Sequence, residues 1–192
     1  GMPINTFYMA KSAGVDPATG AQLYWVYDKD ENGNIINERI SDDYSKASTS
    51  KYYQGNRIPD LYGSIGTDFS YKGIDLAILT TYSIGGKIYD GLYTGSMNAQ
   101  YATNTWNKHQ LRRWQQPGDI TDVPRVEING SYTATDRFLI NASYFAIKNI
   151  TLGYSLPTRL TKGMFMKEIR FTATADNLVL FSHLKGMDPQ YN

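Results

Sequence analysis

Period-two alternation of apolar and polar residues dominates this chain and marks strands with two unlike faces. Across Leu61–Lys72, one face carries Ile65, Thr67, Phe69 and Tyr71, and the other Ser64, Gly66, Asp68 and Ser70. After Lys72-Gly73 the pattern resumes, with Leu76, Ile78, Thr80, Tyr82 and Ile84 opposed to Asp75, Ala77, Leu79, Thr81 and Ser83. Two alternating runs joined by a Lys-Gly turn predict a β-hairpin. A third run, Tyr144–Leu156, sets Ala146, Ile150, Leu152, Tyr154 and Leu156 on one side, and Lys148 breaks that side. In a fourth, Lys167–Phe181, Ile169, Phe171, Ala173 and Ala175 oppose Arg170, Thr172, Thr174 and Asp176. A weaker run lies near Ile4–Lys11. Strands are therefore expected near 4–11, 61–72, 75–84, 144–156 and 167–181. Leu23–Tyr27 and Ile35–Arg39 flank the turn sequence Asp30–Asn34 and predict a small separate hairpin.

The connections between these runs alternate between long (14–60, 85–143) and short (Lys72-Gly73, Pro157–Met166). Long structureless loops are uncommon in compact soluble domains. Short turns on one side and long loops on the other are the habit of outer-membrane barrels. Within the second long loop, Ser96–Trp114 lacks Gly and Pro and is expected to hold a short helix. Five tilted strands would present a mostly apolar face of about 600 Å², at the upper limit for a soluble monomer. The opposite face, with Asp68, Asp75, Arg170 and Asp176, is too polar for the inside of a sandwich and suits a wet lumen. The fold class expected is all-β, built of antiparallel up-and-down strands.

Composition sharpens this picture by exclusion. There is no cysteine, which removes disulfides, thiolate nucleophiles, iron–sulfur clusters and Cys-bound zinc. Only His109 and His183 could supply imidazole. The formal charge of +1 with scattered Lys and Arg gives no footprint for nucleic acid. No apolar run approaches the ~18 residues of a membrane-spanning helix, although a spanning strand needs only ~10 alternating residues. Sixteen tyrosines raise the aromatic share to 14%, as the aromatic girdles of a barrel would. Gly1 before Met2 reads as a cloning scar, and the residues after it carry no secretion signal.

Candidate chemistry is sparse. Asp28–Gly33 copies the first half of an EF-hand loop, but Arg39 stands at the twelfth position, where a bidentate Glu is required. A hairpin turn is the better reading. No Gly-x-Ser-x-Gly elbow appears, no His sits in a nucleophile pattern, and no enzyme activity is expected. The segment Trp106–Trp114 is the main polar-aromatic cluster. Trp106, Arg112, Arg113, Trp114 and the nearby Arg125 are the candidates for ligand or partner contact, since Trp faces stack on sugar rings and Arg pairs with carboxylates. The competing reading is that both Trp residues anchor the loop on a barrel rim. A soluble β-rich glycan- or protein-binding domain is the alternative function on these residues.

Several phrases resemble, in order, the SusC/RagA family of TonB-linked outer-membrane proteins of Bacteroidetes. They are Gly14–Gly20, Arg57–Ser64, Tyr71–Leu76, Ile84–Asp90, Arg113-Trp114 with Pro117–Asp119, and Asp122–Arg125. Arg137–Leu139, Lys148–Pro157, Asp176–Leu178 and Gly186–Pro189 continue the series. The resemblance implies an incomplete piece of a 22-stranded outer-membrane β-barrel, its C-terminal part, with long extracellular loops. It implies import of oligosaccharides or peptides, energised by TonB through the missing N-terminal part and capped by a SusD-like lipoprotein. No cofactor or metal is implied. Ile65, Phe69, Leu76, Ile78, Ile150, Leu152, Ile169 and Phe171 would then face outer-membrane lipid. An isolated piece is expected to pair its open strand edges with other chains.

Overall fold

The computed structural model describes residues 1–98, 105–127, 135–164, 166–183 and 188–191. Part of the helix expected within Ser96–Trp114 and part of the last family-like phrase lie outside the described residues. The chain begins with β1 (Thr6–Val15), β2 (Gln22–Lys29), β3 (Ile35–Ser41), α1 (Tyr44–Thr49) and β4 (Lys51–Asn56). The long hairpin β5 (Leu61–Tyr71) and β6 (Ile74–Ile84) follows, then β7 (Lys87–Tyr89) and α2 (Gly91–Met97). A 3-10 turn at Lys108–Arg112 precedes β8 (Leu139–Asn141), β9 (Tyr144–Ser155), α3 (Thr158–Thr161) and β10 (Arg170–Ser182). Strands β7 and β8 form a short two-stranded ladder. Contacts divide the chain into two compact units, 1–57 with 89–140 and 58–88 with 141–192.

In the first unit, four antiparallel strands lie in the order β3-β2-β1-β4. The weak run near Ile4–Lys11 belongs to this sheet, where Lys11 lies opposite Trp25 and Met9 opposite Tyr52. The hairpin expected at Leu23–Tyr27 and Ile35–Arg39 forms as β2–β3, joined to β1 instead of standing apart. Helix α1 starts where the Asp43 carboxylate accepts from the Ser45 N–H. It lays Ala47 and Tyr44 over Ala10, Tyr24 and Val26, which makes the unit's first core. Met97, Val123 and Phe138 make a second, with Tyr89 and Tyr93 packed against it.

The second unit is a meander, β5-β6-β9-β10, fully antiparallel. Its hairpin turns at Lys72-Gly73, both at positive φ. Register places Phe69, Leu76, Leu152 and Ala173 in one cross-strand row, and Thr67, Ile78, Ile150 and Ala175 in another. Tyr71, Ile74, Tyr154 and Phe171 form the row at the turn end. At the other end Gly63, Tyr82, Phe145 and Phe181 share a row.

One assignment of faces is corrected. Ala146 does not share the side of Ile150 and Leu152. Asn149 pairs with Leu79 and Ile147 with Thr80, so Lys148 is an extra, unpaired residue in β9. The bulge exchanges the faces beyond it, and Ile147 and Phe145, not Ala146, continue the apolar side. Lys148 interrupts the alternation because the strand itself is interrupted there. β10 matches this with its own skip between Asp176 and Val179, where Asn177 takes a positive φ.

Candidate functional site

The predicted loop cluster forms around one turn. In Asp16–Ala21, the Asp16 carboxylate accepts from the Ala18 N–H (2.9 Å) and the Thr19 hydroxyl (2.6 Å). The Asp16 carbonyl accepts from the Gly20 N–H, and Ala21 O from the Asp16 N–H. These hydrogen bonds, that from Thr19 foremost, hold the Asp16 carboxyl below its usual range. The turn is therefore a fixed platform.

Trp114 and Arg125 sit on that platform. Trp114 Nε1 donates to Pro17 O at 2.9 Å, and its backbone N–H to Val123 O. Its ring lies so close over Gly20 that a Cβ there would overlap it, and Gly20 also needs its positive φ. Arg125 donates from Nη1 to Thr19 O (2.9 Å), from Nη2 to Glu127 Oε1 (3.0 Å), and from its backbone N–H to Gly20 O. Gly118 N–H reaches Pro17 O as well. Three family-like phrases, one of them far from the other two in sequence, thus meet.

The other three candidates occupy the preceding turn. Arg112 pairs with Asp122 at 3.1 Å, both mostly exposed, and Arg113 Nη1 donates to Gln110 O. Trp106, just before that turn in sequence, is 37% exposed. The 3-10 turn between them is capped by Asn107, whose side chain accepts from the His109 N–H. Buried Gln110 donates to Met97 O, and the Tyr93 hydroxyl lies 2.9 Å from His109 Nδ1. The histidine that might have served a triad is therefore bonded to a tyrosine. At the EF-hand-like turn, Asp30 accepts from Asn32 N–H, Asn34 N–H and the Asn34 amide. Arg39, at the twelfth position, pairs through two nitrogens with Asp28, the first would-be ligand. Among the described residues no group of carboxylates and histidines is placed to hold a metal.

On the polar face of the second unit, Arg170 crosses Gly153 to reach Asp75 two strands away, and Ser70 donates to the same carboxylate at 2.6 Å. A Cβ on Gly153 would overlap the guanidinium. Asn149 donates to Asp176 at 2.7 Å and accepts from the Thr151 hydroxyl. The sequence reading placed these residues on the polar face but not their bonds, because a cross-strand reach over two neighbours depends on register.

No family model matches the chain. Among curated proteins, a TonB-dependent receptor of Formosa agariphila named P39 is 28% identical over 166 residues, 82% of this chain and 16% of the relative. The TonB-dependent receptor SusC of Bacteroides thetaiotaomicron is 26% identical over 185 residues, 88% of this chain and 17% of its own length. The chain thus spans about a sixth of the curated relatives it matches. Among solved structures, one of the RagAB peptide transporter matches 96% of the chain at 28% identity with a TM-score of 0.78. One of the RagAB peptide importer in a closed-closed state matches all of it at 26% identity and 0.80. In sequence and in fold, the chain is similar to part of the barrel of a TonB-dependent receptor of the SusC/RagA kind.

Proposed function

We propose that this chain forms barrel wall and extracellular loops of a TonB-dependent outer-membrane importer of oligosaccharides or peptides, with transport and not catalysis as its work. The observation that carries the reading is the two-faced sheet β5-β6-β9-β10. Ile65, Phe69, Leu152 and Phe171 are each about half exposed or more on its apolar face. Aliphatic rows fill the middle of that face, and Tyr71, Tyr154 and Phe171 close one end, Tyr82, Phe145 and Phe181 the other. From Tyr71 to Gly63 the strand advances about 27 Å, or about 20 Å along the membrane normal at a ~40° tilt. That approaches the ~25 Å apolar band of such barrels, flanked by its aromatic girdles. The face bearing Asp68, Asp75, Thr151 and Asp176 then lines the lumen.

In this reading the long loops 14–60 and 85–143 lie on the extracellular side, near a SusD-like lipoprotein. Trp114 and Arg125 shape the loop, while Trp106, Arg112 and Arg113 contact cargo or partner. This chain has no native cysteine, and single cysteines introduced into it, read against the unsubstituted receptor, report each face. In the full receptor, Leu152→Cys and Phe69→Cys should react with a lipid-soluble thiol reagent and resist a membrane-impermeant one. Thr151→Cys and Asp68→Cys should do the reverse. An inverted pattern would sink the assignment of faces, and nutrient-dependent growth that persists without TonB would sink the importer.

A further inference from the structure

At its hairpin end the second sheet gathers cations beside its apolar face. Lys72 sits in the turn at positive φ, and its ammonium lies 5.1 Å from the centre of the Tyr71 ring. Tyr71 belongs to the row with Ile74, Tyr154 and Phe171 that closes the apolar face at this end. The connector from β9 to β10 is fastened to the same place. Ser155 N–H donates to Gly73 O at 2.8 Å, and Leu156 N–H to Ile169 O at 2.9 Å. This connector brings three more exposed cations, Arg159, Lys162 and Lys167. Among the described residues none of the four cations forms an ion pair. Asp75 is taken by Arg170 and Ser70, and Glu168 is the one other carboxylate at this end among those residues.

The same connector is inside out for a segment in water. Thr161 is buried, its hydroxyl donating to Thr158 O at 3.3 Å, while Leu160 and Met166 are each more than half exposed. A soluble anion would pair with the cations and leave Leu160, Met166 and the aromatic row in water. A zwitterionic lipid would cover the apolar groups but bring its own cation to the cluster. An anionic amphiphile satisfies both, with its acyl chains along the apolar face and its phosphate among the cations. We propose that this end of the sheet binds the headgroup of an anionic phospholipid, drawn by Lys72, Arg159, Lys162 and Lys167. The site rests on the barrel-wall reading, in which short connections face the periplasm, so the lipid is one of the periplasmic leaflet.

The test places a bimane label on Leu160→Cys or Leu152→Cys of the full receptor in phosphatidylcholine vesicles, and subtracts the signal of the unsubstituted receptor. Quenching is read with a small, equal share of phosphatidylglycerol or phosphatidylcholine carrying a doxyl group near its headgroup. At Leu160→Cys, phosphatidylglycerol should quench at least about threefold more strongly. That preference should vanish in Lys72→Gln/Arg159→Gln/Lys162→Gln/Lys167→Gln, survive in Lys72→Arg/Lys162→Arg/Lys167→Arg, and shrink in high salt. Equal quenching by the two lipids at Leu160→Cys, or none, overturns the site, as does a preference that the quadruple variant keeps. If the quadruple variant fails to fold, salt decides, and a preference that persists in high salt overturns the site. Leu152→Cys, amid the apolar face, separates this outcome from the barrel reading. Quenching there by both lipids, without a preference at Leu160→Cys, refutes the site and leaves the barrel wall standing. No quenching there by either lipid refutes the barrel wall and the site with it.

Discussion

Trp114 shows how much one side chain can organise. Its ring covers Gly20, and its indole N–H and backbone both donate into hydrogen bonds that fix the loop. Trp114→Ala removes a partly buried aromatic and a hydrogen bond together, and should cost about 2–4 kcal/mol of local stability. Amide hydrogen exchange at Gly118 and Arg125 should accelerate, while the β5–β6 amides keep their protection. Gly20→Ala should mimic it, since any Cβ there meets the indole and the positive φ disfavours an L side chain. Asp16 adds a pH dependence with a definite sign. Its folded pKa is depressed, so its contribution is present above the unfolded carboxylate range and fades as pH falls through the lower folded value. Exchange at Ala18, whose N–H bonds to Asp16, should therefore rise on acidification below about pH 4, beyond the intrinsic trend, and Asp16→Ala should abolish that rise. The sequence left Trp114 between ligand contact and loop anchor, because residue type alone cannot distinguish a ring stacked on a ligand from one stacked on a glycine ninety-odd positions away.

At the scale of elements, the strands that alternate cleanly were legible, and the interruptions were not. β5 and β6 pair residue for residue from Leu61↔Ile84 to Tyr71↔Ile74, as two unbroken alternations joined by Lys-Gly require. β4 is not legible in the sequence because Lys51–Asn56 is polar at its ends and holds a glycine, so propensity argues against a strand that pairing to β1 nevertheless forms. The bulge at Lys148 left a visible sign, one charged residue out of phase, but only the pairing on both sides shows that the phase changes there. This makes a contrast between deletions informative. Removing Lys148 joins Ile147 to Asn149 and leaves every face on β9 unchanged. Removing Leu152 turns Asn149 and Thr151 onto the apolar face and Ile150 away from it, until the bulge absorbs the slip. The full receptor lacking Lys148 should keep its folded, heat-shifted mobility on unboiled detergent gels. The receptor lacking Leu152 should lose it, and equal behaviour of the two would show that the bulge is misplaced.

For the whole molecule, the setting follows from what covers the apolar face of the second sheet. A soluble sheet would bury it under helices or a second sheet, and the residues on it would be shielded. Instead Ile65, Phe69 and Phe171 are 60–63% exposed in the centre and turn end of that face. The opposite face carries charged and polar groups bonded to one another, Ser70 and Arg170 to Asp75 and Asn149 to Asp176, which water solvates and hydrocarbon would penalise. Lipid on one side and water on the other, as proposed, would account for both. The depth dependence of a charge then becomes the decisive measure, since arginine on the lipid face of a barrel costs roughly 2–4 kcal/mol at the midplane and about 0–1 near the interface. Ile150→Arg sits in the middle rows and should lose stability near the upper figure. Phe181→Arg, in the end row, should lose little through its charge beyond the loss of the ring, which Phe181→Ala measures separately. Thr151→Arg, next to Ile150 but on the other face, should leave stability within about 1 kcal/mol. Denaturant unfolding of the full receptor in lipid vesicles reads all four. If Ile150→Arg and Thr151→Arg cost the same, no lipid–water boundary runs through this sheet, and the face is covered by protein instead.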